Sequence, residues 1–114
     1  MKELITVLEN TIDKIEGISL KLYQDKEQEG YSEFVTSIGE ISNIVTAIFQ
    51  MKDSNSELLF NEALFLEKLT LSVKALEDND TVLLADILYY EVSTQLRDFS
   101  AYIRSQSEHW AGGY

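Results

Sequence analysis

The chain has no cysteine and no proline. Lacking thiols, it forms neither disulfides nor thiolate nucleophiles; small secreted domains commonly use such cross-links, so a reducing compartment is indicated. Glycine stands only at positions 17, 30, 39, 112 and 113, so with proline absent little interrupts regular backbone structure. Histidine occurs once, at His109, too few for the imidazole clusters of most zinc and di-iron sites. Basic residues are scarce as well: nine against twenty acidic ones, for a net charge of -11. Phosphate contacts need clustered Lys and Arg, so neither nucleic acid nor an anionic membrane surface is an expected partner. No unbroken apolar run approaches the roughly 18 residues that span a bilayer. The opening MKELITVLENTIDKIEG carries charge every few positions and reads as no secretory signal. A soluble cytoplasmic protein is the expectation.

What remains is helical periodicity. Leu4, Leu8, Thr11, Ile15, Ile18 and Leu22 recur at steps of four and three, with Ile5 and Ile12 widening the stripe. A second stripe runs through Tyr31, Phe34, Ile38, Ile41, Val45 and Ile48, flanked by Val35 and Phe49, and is read as starting after Gly30 with Ser32 as N-cap. Asp53-Ser54-Asn55-Ser56 breaks it. Ser54 and Glu57 have capping-box spacing, with Ser56 as an alternative cap, and a third helix to about Glu77 is predicted to face inward through Leu59, Leu66, Leu69, Val73 and Leu76. After Asp78-Asn79-Asp80, with Asp80 as N-cap, a fourth helix buries Ala85, Leu88, Val92, Leu96, Phe99 and Ile103. The short connections join antiparallel neighbours, so the expected fold is all-α: an up-down-up-down four-helix bundle over residues 1–108, with 109–114 as a flexible tail.

Catalytic and metal chemistry find little support. In LEDNDTVLLADILYYE, residues 76–91, Asp78-x-Asp80 opens like a calcium loop. Val82, Leu83 and Tyr89 then stand where a third ligand, the turn glycine and the closing Glu belong. Di-iron bundles need Glu-x-x-His pairs, and the residue three before His109 is Gln106. No G-x-S-x-G elbow and no glycine-rich phosphate loop occur. Glu62, within the third helix's inner stripe, and Glu91, at the margin of the fourth, leave one alternative: a ligand or metal-binding bundle with inward carboxylates, joined by Tyr102. Burying a lone ionised carboxylate is costly, so the preferred reading of each is that it reaches a bundle end, a lysine or water. No catalytic residue, cofactor or metal ligand is assigned.

More telling are apolar residues on faces the core cannot use. Phe60, Leu64 and Leu71 line the third helix opposite its inner stripe, while Leu83 and Tyr90 lie opposite Leu88 and Phe99, with Tyr89 between. A contiguous patch with aromatic members and a polar rim suits a protein interface; scattered exposed apolar side chains are the plain alternative. The small outer residues Thr36, Gly39, Asn43, Thr46 and Ala47 mark a second face permitting close helix approach. The preferred reading is a non-enzymatic interaction module, adaptor-like or chaperone-like, that forms a homodimer or holds a helical partner through Phe60, Leu64, Leu71, Leu83, Tyr89 and Tyr90.

The stretch KALEDNDTVLLADILYYEVSTQL resembles an uncharacterised family of small acidic all-helical proteins in which an LE-N-D-x-VLLADIL-x-YE segment recurs near the C-terminus. The resemblance covers about residues 74–96. It implies a helical fold and no activity. The family often places an acidic residue where this chain has Tyr89, so an interface built on that position is particular to this chain.

Overall fold

The computed structural model describes residues 2–54 and 60–112, with side chains described for 3–51 and 60–106. All of its regular structure is helical: α1 (Lys2–Tyr23), α2 (Glu27–Ser54), α3 (Glu62–Glu77), α4 (Thr81–Asp86), a π-helical segment (Ile87–Val92) and α5 (Ser93–Gly112). The last three follow one another without a break, so residues 109–112 extend a helix rather than a tail. No strand occurs among the described residues.

Two turns fold the chain back without glycine. At the end of α1, Asp25 takes the left-handed conformation (φ 61°), and the Lys26 amide reaches back to the Lys21 carbonyl at 2.8 Å. At the end of α3, Asn79 does the same (φ 55°); its amide bonds to the Leu76 carbonyl and that of Asp80 to Ala75. Both are Schellman closures, in which a short polar side chain tolerates the backbone that glycine usually supplies. Asp80 then serves the next helix, accepting from the Leu83 amide at 3.2 Å, as the sequence indicates.

Two predicted starts move. α2 begins at Glu27, before Gly30, so Ser32 is not its cap. Gly30 is buried inside the helix, where a Cβ would come 2.7 Å from Leu22 Cδ2 and 2.9 Å from its Cγ. It is a close-approach glycine rather than a breaker. α3 begins at Glu62, capped by Asn61, whose side chain accepts from the Leu64 amide at 3.0 Å. Ser56, Glu57 and Leu59 lie outside the described residues, and Ser54 closes α2.

Gly39 sits in the same helix, and a Cβ there would meet nothing within 4 Å. Gly39→Ala is therefore expected to raise stability by about 0.5–1 kcal/mol, because alanine loses less backbone entropy in a helix. Gly30→Val is expected to cost about 1–3 kcal/mol by overpacking against buried Leu22. Urea unfolding midpoints of the two variants should move in opposite directions.

Ion pairs fix the directions of the helices. Lys14 and Lys21 on α1 meet Glu40 and Glu33 on α2, while Glu9 and Glu16 meet Arg104 and Arg97 on α5. Rising numbers on α1 pair with falling numbers on both neighbours, so each runs antiparallel to α1. α1 thus lies between α2 on one side and α4, the π segment and α5 on the other, and α3 folds back along α4 and the π segment. The molecule is elongated, 51 × 23 × 20 Å, as a 28-residue α2 of about 42 Å requires.

The core follows the expected stripes on α1, α2 and α5, with Leu8, Ile15, Ile18, Phe34, Ile41, Ile48, Leu88, Leu96 and Ile103 essentially inaccessible. On α3 it does not. Phe65, Ser72 and Ala75 are buried, Leu69, Val73 and Leu76 pack partly against the core, and Leu66 is 41% exposed. The helix is turned by about half a residue, some 50°, so that the larger Phe65 is buried in preference to Leu66. α2 also differs from expectation in one respect. Over Glu27–Met51 it is long and apolar enough to cross a membrane by length and composition, with a third of the window buried. Uncharged Ser, Thr, Gly and Asn break its apolar runs without lowering the average hydropathy as charges would. Its apolar residues Phe34, Ile41, Ile44, Val45 and Ile48 are buried in the core.

Candidate functional site

The helical corner LEDNDTVLLADILYYE carries the most unusual local structure in the chain. Apolar core positions along this helix are Leu84, Ala85, Ile87, Leu88, Val92, Leu96, Phe99 and Ile103, and the fully buried Leu84, Leu88, Val92 and Leu96 fall at three successive steps of four. Each four-residue step overshoots a 3.6-residue turn by about 40°, so three in succession carry the stripe off the core face. The backbone corrects the drift by widening into a π turn over Ile87–Val92, where the Ser93 amide bonds to the Leu88 carbonyl, five residues back. Such single-turn insertions concentrate at functional sites.

Two tyrosines lie within this turn. Tyr89 and Tyr90 pack edge to face, with ring centroids 5.0 Å apart at 75°, and both are exposed, Tyr90 by 64%. They lie close enough to Tyr23 of α1 to act on it electrostatically. The Tyr23 hydroxyl donates to Asp86 Oδ1, so Asp86 is an acceptor in an interhelical bond. A second hydroxyl pair, Tyr31 with Thr81 at 2.6 Å, ties α2 to the start of α4. Along the same seam Glu16 is bound by Arg97 and Ser93.

Lost hydration, the bond donated to Asp86 and the charge of that carboxylate push the Tyr23 phenol from its ordinary 10 up to about 12, with Tyr90 and Tyr89 adding in the same direction. A raised folded-state value favours the protonated, folded form: the contribution is fully present below pH 10 and is lost as pH rises toward about 12. Phenolate absorbance should show one of the six tyrosines ionising late, and Asp86→Asn should bring that step down in pH. Tyr23→Phe should abolish it.

The other residues singled out from the sequence divide. Leu64 and Leu71 on α3 and Leu83 on α4 are exposed, at 37%, 40% and 46%. Phe60 is not part of that surface. It precedes α3, outside the helical geometry assumed for it, and its half-buried ring packs against Phe65 (5.4 Å) and Phe99 (5.0 Å). Tyr89 and Tyr90 turn toward α1, whereas Leu64 and Leu71 are carried by α3, so the surface expected as one patch has two parts. The sequence reading missed Tyr23, Leu20 and Val82, all exposed; Tyr23 and Leu20 fall beside the core stripe of α1 and gain meaning only when α4 is placed beside it. Of the alternative carboxylates, Glu91 is exposed and Glu62 half-buried in the first turn of α3; Tyr102 is partly buried against the core. Among the described residues no three His, Asp or Glu side chains are grouped to hold a metal ion.

Residues 1–102 match the model of a family described as Domain of unknown function (DUF8042). The chain belongs to that family. Neither the curated proteins nor the solved structures contain a match to it. Membership of DUF8042 brings no activity with it, so a functional reading rests on the corner itself.

Proposed function

We propose that this DUF8042 protein is a non-enzymatic, cytoplasmic interaction module, adaptor-like or chaperone-like, whose contact surface is the helical corner. One observation carries the reading: Leu20, Tyr23, Val82, Leu83, Tyr89 and Tyr90 are all exposed around a single interhelical bond, Tyr23 to Asp86. Aromatic and aliphatic side chains rimmed by carboxylates are the composition of a protein contact. The rigidity of the seam suits the same role, since Glu9, Glu16 and Asp86 all anchor α1 to α4 and α5. The antiparallel ion pairs also support an up-down-up-down four-helix bundle as the scaffold.

The occupant is a helical partner or a second copy of the chain. Sedimentation of the full chain, together with pull-down from its host, tests the module. Leu83→Glu and Tyr90→Lys are expected either to disperse a dimer or to abolish retention of partners that the wild type holds. Unchanged mass and unchanged retention in both variants would overturn the reading.

A further inference from the structure

The corner is acidic as well as apolar. No Lys or Arg occurs from residue 75 to residue 96, a stretch that holds Glu77, Asp78, Asp80, Asp86 and Glu91. The α1–α2 turn, with Asp25, lies at the same end of the molecule, because Tyr23 and Tyr31 on either side of it bond to Asp86 and Thr81. Of the neighbouring basic groups, Lys21 is engaged by Glu33 and Lys74 by Asp78, while exposed Lys26 in the α1–α2 turn sets one positive charge against these six carboxylates. A second copy of a chain with net charge -11 would bring like charge to this surface, whereas a basic partner would be drawn to it.

We propose that Tyr23, Asp86, Tyr89 and Tyr90 form a receptor for a Lys or Arg side chain of a basic amphipathic helix, with Leu83 and Val82 receiving its apolar side chains. The inference rests on the interaction reading above and names the partner's chemistry. Tyr23 holds Asp86 through Oδ1, which orients the carboxylate for a charge-assisted bond to an ammonium or guanidinium. Tyr90, 64% exposed, and Tyr89, 40% exposed, leave aromatic surface within reach of a cation, which ring faces attract within about 6 Å. Val82 stands one turn before Asp86 and Leu83 three residues before it, on adjoining lines of α4. Apolar contacts thus flank the charged one, as the two faces of an amphipathic helix require. Tyr89 and Tyr90 stand three and four residues after Asp86, so they share its side of the helix.

The full chain would be titrated with a fluorescently labelled Lys/Leu amphipathic helix and with its Glu/Leu counterpart, followed by anisotropy at low and high salt. The Lys/Leu peptide is expected to bind, to weaken as salt rises, and to lose about tenfold in affinity with Tyr90→Ala and with Asp86→Asn. The Glu/Leu peptide should not bind. Asp98→Asn, which removes an exposed charge elsewhere on α5, should leave affinity unchanged. Equal losses from Asp98→Asn and Asp86→Asn would mean diffuse attraction and overturn the proposal, as would wild-type affinity in Tyr90→Ala. A dimer dispersed by Tyr90→Ala would assign the surface to a second copy, overturning the basic partner while leaving the interaction module standing.

Discussion

Phe65→Ala is expected to lower the free energy of unfolding by about 3–5 kcal/mol, the cost typical of removing a buried aromatic ring. Phe65 is fully inaccessible, and its ring adjoins Phe60, which in turn meets Phe99 of α5. The alanine would therefore leave a void where α3 joins α5, and the half-buried Phe60 would lose one of its two ring contacts. Domains of this size have only about 5–15 kcal/mol in total, so the urea midpoint should fall steeply. Leu66, one position along, is 41% exposed, and Leu66→Ala is expected to cost no more than about 1 kcal/mol. The pair decides the rotation of α3: comparable losses from both variants would mean that the helix presents Leu66, not Phe65, to the core.

That rotation is also where the sequence was hardest to read. α1, α2 and α5 carry one apolar face each, and their stripes predicted most of the buried apolar residues, missing Ile44, Leu84 and Ile87 and including Val35, which is 57% exposed. α3 is apolar on two faces, with Leu66, Leu69, Val73 and Leu76 on one reading and Phe65, Leu69, Ser72 and Leu76 on the other. Periodicity alone cannot choose between them; packing does, since only the second stripe places the phenylalanine against Phe60 and opposes small Ser72 and Ala75 to α4. The turn at Asp78-Asn79-Asp80 was legible as a polar break, while the α1–α2 turn was read at Gly30 rather than at Asp25; neither mechanism was visible, because Asp25 and Asn79 do in the left-handed region what glycine is expected to do. Gly30 misled for the converse reason: a glycine admits close approach as readily as it ends a helix. At the candidate site the outward tyrosines could be read from the sequence, while Tyr23 could not, since nothing in the numbering links residues 23 and 86. The π turn was equally hidden, because the stripe read as Ala85, Leu88, Val92 and Leu96 has the steps of a regular helix; only with the buried Leu84 in it do three successive four-residue steps emerge.

Those steps lead to a second large effect. If the π turn is a one-residue insertion in an otherwise regular stripe, deleting the exposed Tyr90 turns the steps four, four, four, three, four into four, three, four, three, four, which is the spacing of a continuous α-helix. The flanking faces then stay in register: Asp86 still meets Tyr23, Arg97 still meets Glu16, and Phe99 and Ile103 still point into the core. The deletion variant is expected to fold, with stability within about 1–2 kcal/mol of the wild type, while losing the tyrosine pair and with it affinity for a basic helix. Deleting the equally exposed Asp98 from the regular part of α5 is expected to do the opposite. Everything beyond it would rotate by about 100°, withdrawing Phe99 and Ile103 from the core. Each such side chain contributes about 1.5–3 kcal/mol when buried, and the ion pair of Arg104 with Glu9 would be broken as well, so the loss approaches the whole stability of the domain. Circular dichroism and thermal melts separate the outcomes. Cooperative unfolding that survives deletion of Tyr90 and fails on deletion of Asp98 requires the additional residue to lie within the π turn; collapse of both variants would mean that the core depends on the wide turn itself.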